Sequence, residues 1–350
     1  KVKENGYLGV EICVSVPNFG KTDFEVCSNK YNSTSEGFRH NKWRTQIDLY
    51  RRRIEQGPEP ERPRSFWPNW NYDAEIFAFG KRLGENLNTQ TLKEAFTDIS
   101  YIEAEKAKRQ ELVDEGEKIE ISLIDNQDLA NQGSELATEY IKGYLRHHLP
   151  LYPEEGICAI CSYLMSDECL HNVSKKLGTK DLILCSDFPI EIPTMTQALK
   201  AVIGAIARDQ GKERAQLFVQ DFLLTQLVGK EISEYWDMYN PMGILIGVLE
   251  KQGMAPPEPR LLWQSGCETV LAVYEVGIYS DRKLIGRAPG ETVSIAEDMA
   301  ARDALKRIFG LSMDRKPFSF GKEGHSLKID TLKMNKSVFE YTRQEVSHLQ

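Results

Sequence analysis

Long hydrophobic runs, closely spaced cysteines and an excess of positive charge are all missing from this sequence. No apolar stretch approaches the roughly 20 residues that span a bilayer, so no membrane-spanning helix and no membrane partner are predicted. Seven cysteines scattered over 350 residues are too sparse for a small disulfide-linked secreted domain, which favours a reducing compartment. The first residue is Lys1 rather than Met, as expected of a processed form or a fragment.

The charge balance has the wrong sign for a protein that simply coats nucleic acid. Lys and Arg number 44 and Asp and Glu number 52, which gives a formal net charge of −8. Phosphate binding depends on local clusters of Lys and Arg rather than on totals, so the balance weakens an RNA-binding hypothesis without excluding it. The length allows two domains, each with a core of its own.

One stretch, from Phe38 to Trp70, is basic, aromatic and rich in proline. Its prolines, from Pro58 to Pro68, forbid a continuous helix, so we predict an extended arm. Basic and aromatic side chains together suit RNA phosphates and stacked bases, although a solvated linker is an equally good interpretation. The candidate RNA-binding residues of this arm are Arg39, Lys42, Arg44, Arg51, Arg52, Arg53, Arg62 and Arg64.

Hydrophobic periodicity changes along the chain and predicts a mainly α protein. Helical periodicity dominates from Tyr72 to about Lys230, without an internal repeat. Asn240-Pro241 then marks a helix start, three strand-like runs follow, and an alanine-rich helix covers Val293 to Phe309. We therefore predict an N-terminal extension over residues 1–70, with the arm at 37–70. This extension is followed by an all-α domain at 71–232, an α-β-β-β-α domain at 238–311 and a patternless tail at 312–350.

Several short motifs, taken in order, resemble the ribonuclease III family. Leu92-Lys-Glu-Ala-Phe-Thr-Asp-Ile-Ser-Tyr101 is similar to the family's L-x-x-A-L-T-H-x-S-Y segment, with Asp98 where His is usual. Asn126-Gln-Asp-Leu-Ala-Asn-Gln-Gly-Ser134 resembles the signature N-E-x-L-E-F-L-G-D. The resemblance implies a ribonuclease-III-like helical domain followed by a double-stranded-RNA-binding-type domain. Pro68-Asn-Trp-Asn-Tyr-Asp-Ala-Glu-Ile76 and Asn240-Pro-Met-Gly243 are similar to the ribonuclease-III-like proteins of the mitochondrial large ribosomal subunit.

The resemblance also implies that the nuclease chemistry is lost. Ribonuclease III proteins hold divalent metal ions with two pairs of carboxylates on two helices, because hard cations require oxygen ligands. The four aligned positions are Ala130, Ser134, Gln197 and Lys200, none of which is acidic. An ammonium at Lys200 would repel a metal ion. The expectation is a protein without catalytic residues, metal or cofactor, which is not an enzyme.

The residues that contact RNA in the second domain of the family are also replaced in this sequence. The groove-facing positions of its first helix fall on Ile246 and Gly247, and the lysine pair of its last helix falls on Val293 and Ser294. The first helix is apolar nearly all round, which predicts burial on more than one side and a docking role. Arg282, Lys283, Arg302 and Lys306 remain as RNA contacts or as a solvated surface.

The leading hypothesis is a non-enzymatic structural constituent of the large subunit of the mitochondrial ribosome, located in the matrix. Its partners would be the subunit's ribosomal RNA and neighbouring mitochondrial ribosomal proteins. Pairing of the ribonuclease III type, with a second copy or a related domain, is also implied. Two alternatives remain, a double-stranded-RNA endonuclease with relocated metal ligands and an RNA-processing adaptor. A zinc site at Cys158-x-x-Cys161 is disfavoured because it lacks a good second ligand cluster.

Overall fold

The computed structural model describes residues 37–57, 62–112, 123–312, 315–327, 329–331 and 333–342. Residues 1–36 of the predicted N-terminal extension lie outside the described residues. The chain divides into two compact units, Lys1–Glu61 and Arg62–Gln350.

The described part of the first unit is one helix, α1, at Gly37–Gln56. The extended conformation predicted for this part of the arm is wrong. The prolines begin at Pro58, beyond the end of the helix, and a proline restricts only its own residue and the one before it. In the second unit the arm region continues as a short 3-10 turn at Arg64–Phe66.

The predicted all-α domain is confirmed and forms the first part of the second unit. Its helices are α2 Tyr72–Leu83, α3 Thr89–Phe96, α4 Ile99–Leu112, α5 Gln127–His148, α6 Glu154–Leu164, α7 Asp167–Leu177, α8 Ile192–Gln210 and α9 Lys212–Phe222. The chain breaks between α3 and α4, after Phe96. At that break the Asp98 carboxylate accepts hydrogen bonds from the Ser100 amide at 3.1 Å and hydroxyl at 2.6 Å, and so caps α4.

Helices α5 and α8 cross at the centre of this domain with almost no space between their backbones. A Cβ atom on Gly133 would lie 2.0 Å from the carbonyl oxygen of Lys200, and one on Gly204 would lie 2.1 Å from that of Leu129. Only glycine permits such an approach. The crossing fixes the two helices that carry the four aligned metal-ligand positions.

The predicted α-β-β-β-α domain is also confirmed. It consists of α10 Pro241–Lys251, β1 Glu258–Ser265, β2 Val273–Ser280, β3 Lys283–Gly290 and α11 Val293–Ile308. The three antiparallel strands lie in the order β1-β2-β3. One face of the sheet is buried at Val276, Ile278 and Ala288, against the fully buried alanines of α11. Strand β1 is exposed along its whole length.

The C-terminal segment packs against the helical domain, although its sequence predicted no element. It holds two short helices, α12 at Gly321–His325 and α13 at Val338–Thr342. The fully buried Gln220 accepts a hydrogen bond from the Tyr140 hydroxyl at 2.9 Å and donates one to the Ser319 carbonyl at 3.2 Å. The Asn335 amide donates to the carbonyls of both Leu149 and Tyr152.

An ion pair lies beneath this segment, between the side chains of Arg146 and Glu154. Arg146 is 9% exposed and Glu154 is 14% exposed, and the Arg146 Nε atom lies 3.1 Å from Glu154 Oε2. Arg146 also donates to the Thr331 carbonyl at 3.2 Å, and the backbone N–H of Asn335 donates to Glu154 Oε2 at 3.3 Å. The C-terminal segment therefore supplies part of the hydrogen bonding that a nearly buried pair requires.

Aromatic rings join the two domains and the C-terminal segment. The ring of Tyr152 meets Trp236 at 5.7 Å and Phe309 at 6.3 Å, both edge to face, and Phe309 meets Tyr341 at 5.7 Å. Tyr152 belongs to the helical domain, Phe309 follows α11 and Tyr341 lies in α13. These contacts hold three parts of the chain in one packed unit.

We predict that Gly133→Ala destabilises the protein by about 3 kcal/mol, because the new methyl group must push α5 away from α8. Gly80→Ala is the matched control, since Gly80 is also a buried helix residue but its Cβ would lie 3.6 Å from Leu92 Cδ1. That control should change stability by less than about 1 kcal/mol. Chemical denaturation of the full chain measures both. Equal losses would show that the crossing is not closely packed.

His148 lies between the helical domain and the C-terminal segment in a neutral form. Its Nδ1 donates to the Tyr144 carbonyl at 3.0 Å, and its Nε2 accepts from the Ser319 amide at 3.3 Å. Burial lowers its pKa below the ordinary value of 6.5, and the positive charges of His147 and Arg315 add to this. A lowered pKa in the folded state means that protonation favours unfolding, so stability is lost as the pH falls below about 6.5.

We predict that amide hydrogen exchange at Ser319 accelerates as the pH is lowered from 7.5 to 5.5, after correction for the intrinsic pH dependence. In His148→Phe the ring stacking is kept but the acceptor and the titration are removed. This variant should lose about 1–3 kcal/mol at neutral pH and the corrected exchange should no longer depend on pH. The same pH dependence in the variant would assign the effect to another group.

Candidate functional site

The four aligned metal-ligand positions lie at the crossing of α5 and α8. On α5, Ala130 is 5% exposed and Ser134 is half-buried; on α8, Gln197 and Lys200 are both half-buried. The approach of Gly133 to the Lys200 carbonyl brings the two helices together at this level. The two helices that carry these positions therefore meet at the level of Gly133 and Lys200, and none of the four side chains carries a negative charge.

Two amide side chains form a hydrogen bond at the crossing of α5 and α8. Asn126, which immediately precedes α5, is fully buried. Its Oδ1 accepts from Gln197 Nε2 at 2.9 Å, and its Nδ2 donates to the Ala95 carbonyl at 3.3 Å. The neutral pair links the start of α5 to α8 and to the end of α3. Because the amide of Gln197 donates here, this side chain serves the fold rather than a metal ion.

The exposed face of α5 beside Ser134 borders an open groove of about 380 Å³. The groove is lined by Ser134, Glu135, Thr138, Glu139, Lys142, Arg146 and Thr331. Only two of these are exposed carboxylates. Among the described residues, no group of three or more His, Cys, Asp or Glu side chains is arranged to hold a metal ion.

The cysteines of the disfavoured zinc motif are free thiols. Cys161 is buried in the core and Cys158 is half-buried. Desolvation by burial raises the pKa of the Cys161 thiol to about 11. A buried thiol with a raised pKa is a poor metal ligand and a poor nucleophile, which agrees with a packing role.

The candidate RNA-binding residues of the arm fall into two groups. Arg39, Lys42, Arg44, Arg51, Arg52 and Arg53 belong to helix α1, where the last three are exposed. Arg62 and Arg64 lie at the start of the second unit and are exposed. Arg64 stacks on the Trp70 ring at 5.4 Å and lies 3.5 Å from an oxygen of Asp181, so part of its charge is already compensated.

Arg282 and Lys283 lie at the tight turn between β2 and β3. Asp281 and Arg282 both have positive φ angles, 49° and 65°, and Ser280 pairs with Lys283. This is the backbone geometry of a two-residue hairpin turn, which places both basic side chains in solvent. Both residues are exposed.

Arg302 and Lys306, the other basic candidates of this domain, instead make ion pairs with the preceding segment of the chain. Arg302 Nη1 lies 2.6 Å from Asp237 Oδ1, and its Nη2 donates to the Met238 carbonyl at 3.2 Å. Lys306 Nζ lies 2.6 Å from Glu231 Oε1. Sequence patterns could not distinguish these residues from free surface charges, because their partners are more than 60 residues away.

Helix α10 is buried on more than one side, as its sequence predicted. Leu245, Val248 and Leu249 are fully buried, whereas Ile246 is 37% exposed. The helix packs against α11 on one side and against α13 of the C-terminal segment on another. The docking partner that covers the second side is thus supplied by the chain itself.

No helix within the described ranges is both long enough and apolar enough to cross a membrane.

Comparison with known families gives two matches along the chain. A model of the large ribosomal subunit protein mL44 endonuclease domain matches residues 71–206, and a model of the MRPL44 dsRNA-binding domain matches residues 236–342. The nuclease domain of ribonuclease III from Campylobacter jejuni is a similar solved structure. It is 19% identical, has a TM-score of 0.35, and the match covers 43% of this chain and 96% of that one.

Curated relatives extend these matches. Ribonuclease 3 of Enterococcus faecalis is 24% identical over 223 residues, which cover 62% of this chain and 90% of that protein. Large ribosomal subunit protein mL44 of Caenorhabditis elegans is 34% identical over 287 residues, which cover 81% of this chain and 71% of that protein. The chain belongs to the mL44 family of large ribosomal subunit proteins.

Proposed function

We propose that this protein is a structural constituent of the large subunit of the mitochondrial ribosome, located in the mitochondrial matrix. The observation that carries the proposal is the 34% identity to an mL44 protein over 81% of the chain. Both folded domains of the family are present and packed together. On this proposal the working parts of the molecule are its surfaces rather than a catalytic centre.

The proposal includes the absence of nuclease activity. Support comes from Ala130, Ser134, Gln197 and Lys200, which offer no carboxylate at the crossing of α5 and α8. The hydrogen bond of Gln197 to Asn126 and the cationic side chain of Lys200 both oppose a divalent ion at this place. A crossing without carboxylates does not need a metal ion to offset repulsion between them.

For RNA contacts we propose basic side chains of the arm and of the β2–β3 turn. They are Arg39, Lys42, Arg44, Arg51, Arg52, Arg53, Arg62, Arg64, Arg282 and Lys283. We propose the subunit's ribosomal RNA as their ligand, because clustered guanidinium groups suit phosphates better than other surface groups do.

We also propose that the chain consists of an N-terminal extension at 1–70, a ribonuclease-III-like domain at 71–232, a double-stranded-RNA-binding-type domain at 238–311 and a C-terminal tail at 312–350.

For protein contacts we propose neighbouring mitochondrial ribosomal proteins, including a related domain that pairs with α5. The exposed side of α5 carries Glu135 and Glu139 beside Lys142. In a symmetric pair each patch meets its own copy, so an acidic patch is repelled. This favours a partner of different sequence over a second copy of this chain.

We predict that the protein in a mitochondrial lysate sediments with large ribosomal subunits and remains bound after a wash with moderate salt. The triple variant Arg51→Gln, Arg52→Gln, Arg53→Gln should dissociate at lower salt, because each lost phosphate contact removes counterion release. Glu55→Gln, in the same exposed stretch of α1, is the matched control. A mostly unbound protein in gentle lysates would contradict the structural role, and a nuclease found with it would favour the adaptor.

We predict no cleavage of duplex RNA by the purified chain at enzyme excess with Mg²⁺ or Mn²⁺. Isothermal titration should likewise detect no tight Mn²⁺ site. The variant Ala130→Glu, Ser134→Asp, Gln197→Asp, Lys200→Glu should gain Mn²⁺ binding, because it restores four oxygen ligands at one crossing. Cleavage by the unaltered chain would support the endonuclease hypothesis. Failure of the variant to bind Mn²⁺ while remaining folded would contradict the proposed placement of the four positions.

A further inference from the structure

A cavity of about 990 Å³ lies where three parts of the second unit meet. Its walls are the loop Gly229 to Ser233 after the helical domain, the C-terminal half of α11, and residues of the C-terminal segment that include Arg315. It is separate from the crossing of α5 and α8. It also lies away from Val293 and Ser294, at the opposite end of α11, where the family resemblance placed RNA contacts.

The side chains that line this cavity carry more positive than negative charge. Four are cationic and two are carboxylates; they are Lys230, Lys306, Arg307, Arg315, Glu231 and Asp303. Two pairs compensate each other, Lys306 with Glu231 at 2.6 Å and Arg307 with Asp303 at 2.9 Å. Lys230 and Arg315 are left without a carboxylate among the described residues.

Lys230 is held in its charged form at the rim. Its ammonium group donates a hydrogen bond to the Tyr163 hydroxyl and lies 4.7 Å from the centre of the same ring. That hydrogen bond raises the pKa of Lys230 above its ordinary value. The side chain is thus a fixed positive charge rather than a mobile one.

Arg315 is the unusual member of the group. Its Nη1 atom is buried and has no hydrogen-bond acceptor, while its guanidinium lies 4.5 Å from the centre of the Phe318 ring. Burial lowers the pKa of Arg315, but a guanidinium keeps its proton in proteins. The Arg315 side chain as a whole is half-buried. A buried guanidinium nitrogen without an acceptor is costly, so native proteins supply such an atom with a partner.

We propose that this cavity binds a phosphate group of an RNA chain, with Arg315 and Lys230 as its two cationic contacts. A planar guanidinium suits the tetrahedral oxygens of phosphate, and the cavity is larger than a single phosphate requires. The choice of RNA over a free anion rests on the proposed ribosomal function. The site would anchor RNA at the junction of both domains and the C-terminal segment.

The test is the thermal stability of the purified full chain in a low-salt buffer, with and without inorganic phosphate or a 20-base-pair RNA duplex. Each ligand at saturation should raise the Tm by about 3 °C. Arg315→Met keeps the hydrophobic stem and removes the unpaired charge, so its own Tm should not fall. Its response to phosphate should vanish and its response to the duplex should decrease, because the basic residues of the arm and of the β2–β3 turn remain. Arg109→Met is the control, because Arg109 is an exposed arginine of α4 paired with Glu105.

A second variant keeps the test decisive if Arg315→Met fails to fold. Lys230→Met changes an exposed side chain, and it should weaken duplex binding about tenfold and lower the salt slope of binding by about 1. Equal ligand responses in the unaltered chain and in the folded variants would overturn the proposal. Stabilisation by phosphate alone would replace RNA by a small anion. Because ribosome sedimentation is measured separately, loss of this site would leave the structural role standing.

Discussion

The close crossing of α5 and α8 is the contact on which the rest of the helical domain depends. Gly133 and Gly204 bring the two backbones together, and the amide pair of Asn126 and Gln197 links their ends at 2.9 Å. In a metal-dependent nuclease the same place holds several carboxylates, whose mutual repulsion is offset by the bound ions. On the proposed loss of the metal ligands, neutral and cationic side chains stand at this place instead, so the crossing carries no such repulsion between carboxylates.

The C-terminal segment restricts the motion of the two domains relative to each other. Its hydrogen bonds reach α5, α6 and α9, and its last helix, α13, covers α10. The rings of Tyr152, Trp236, Phe309 and Tyr341 fill the junction. A domain held in this way presents one fixed surface to its partners, which lowers the entropy lost on binding. This suits a permanent component of an assembly better than an enzyme that must close around a substrate.

The sequence predicted well those features that depend on periodicity or on residue identity. The helices from Tyr72 onward and the order of the α-β-β-β-α domain follow from hydrophobic patterns. The loss of metal ligands at Ala130, Ser134, Gln197 and Lys200 stays a prediction. The packing of the C-terminal segment was missed because it depends on single polar side chains such as Gln220 and Asn335. Isolated polar residues produce no hydrophobic periodicity in the sequence. Helix α1 was missed because prolines beyond its end were taken to affect the whole arm. The acceptor-free Nη1 of Arg315 is a property of the folded state alone.

Basic residues that look alike in the sequence differ in the structure, because some pair with carboxylates of the chain and others do not. The chain carries a net charge of −8, so its basic residues matter for RNA only where no carboxylate of the chain already holds them. Arg302 and Lys306 meet Asp237 and Glu231 and thereby hold the domains together. No carboxylate of the described residues pairs with the exposed arginines of α1, with the hairpin residues Arg282 and Lys283, or with the half-buried Arg315. An acidic protein can bind a polyanion through such residues, because screening confines the repulsion of its remaining surface to about one Debye length.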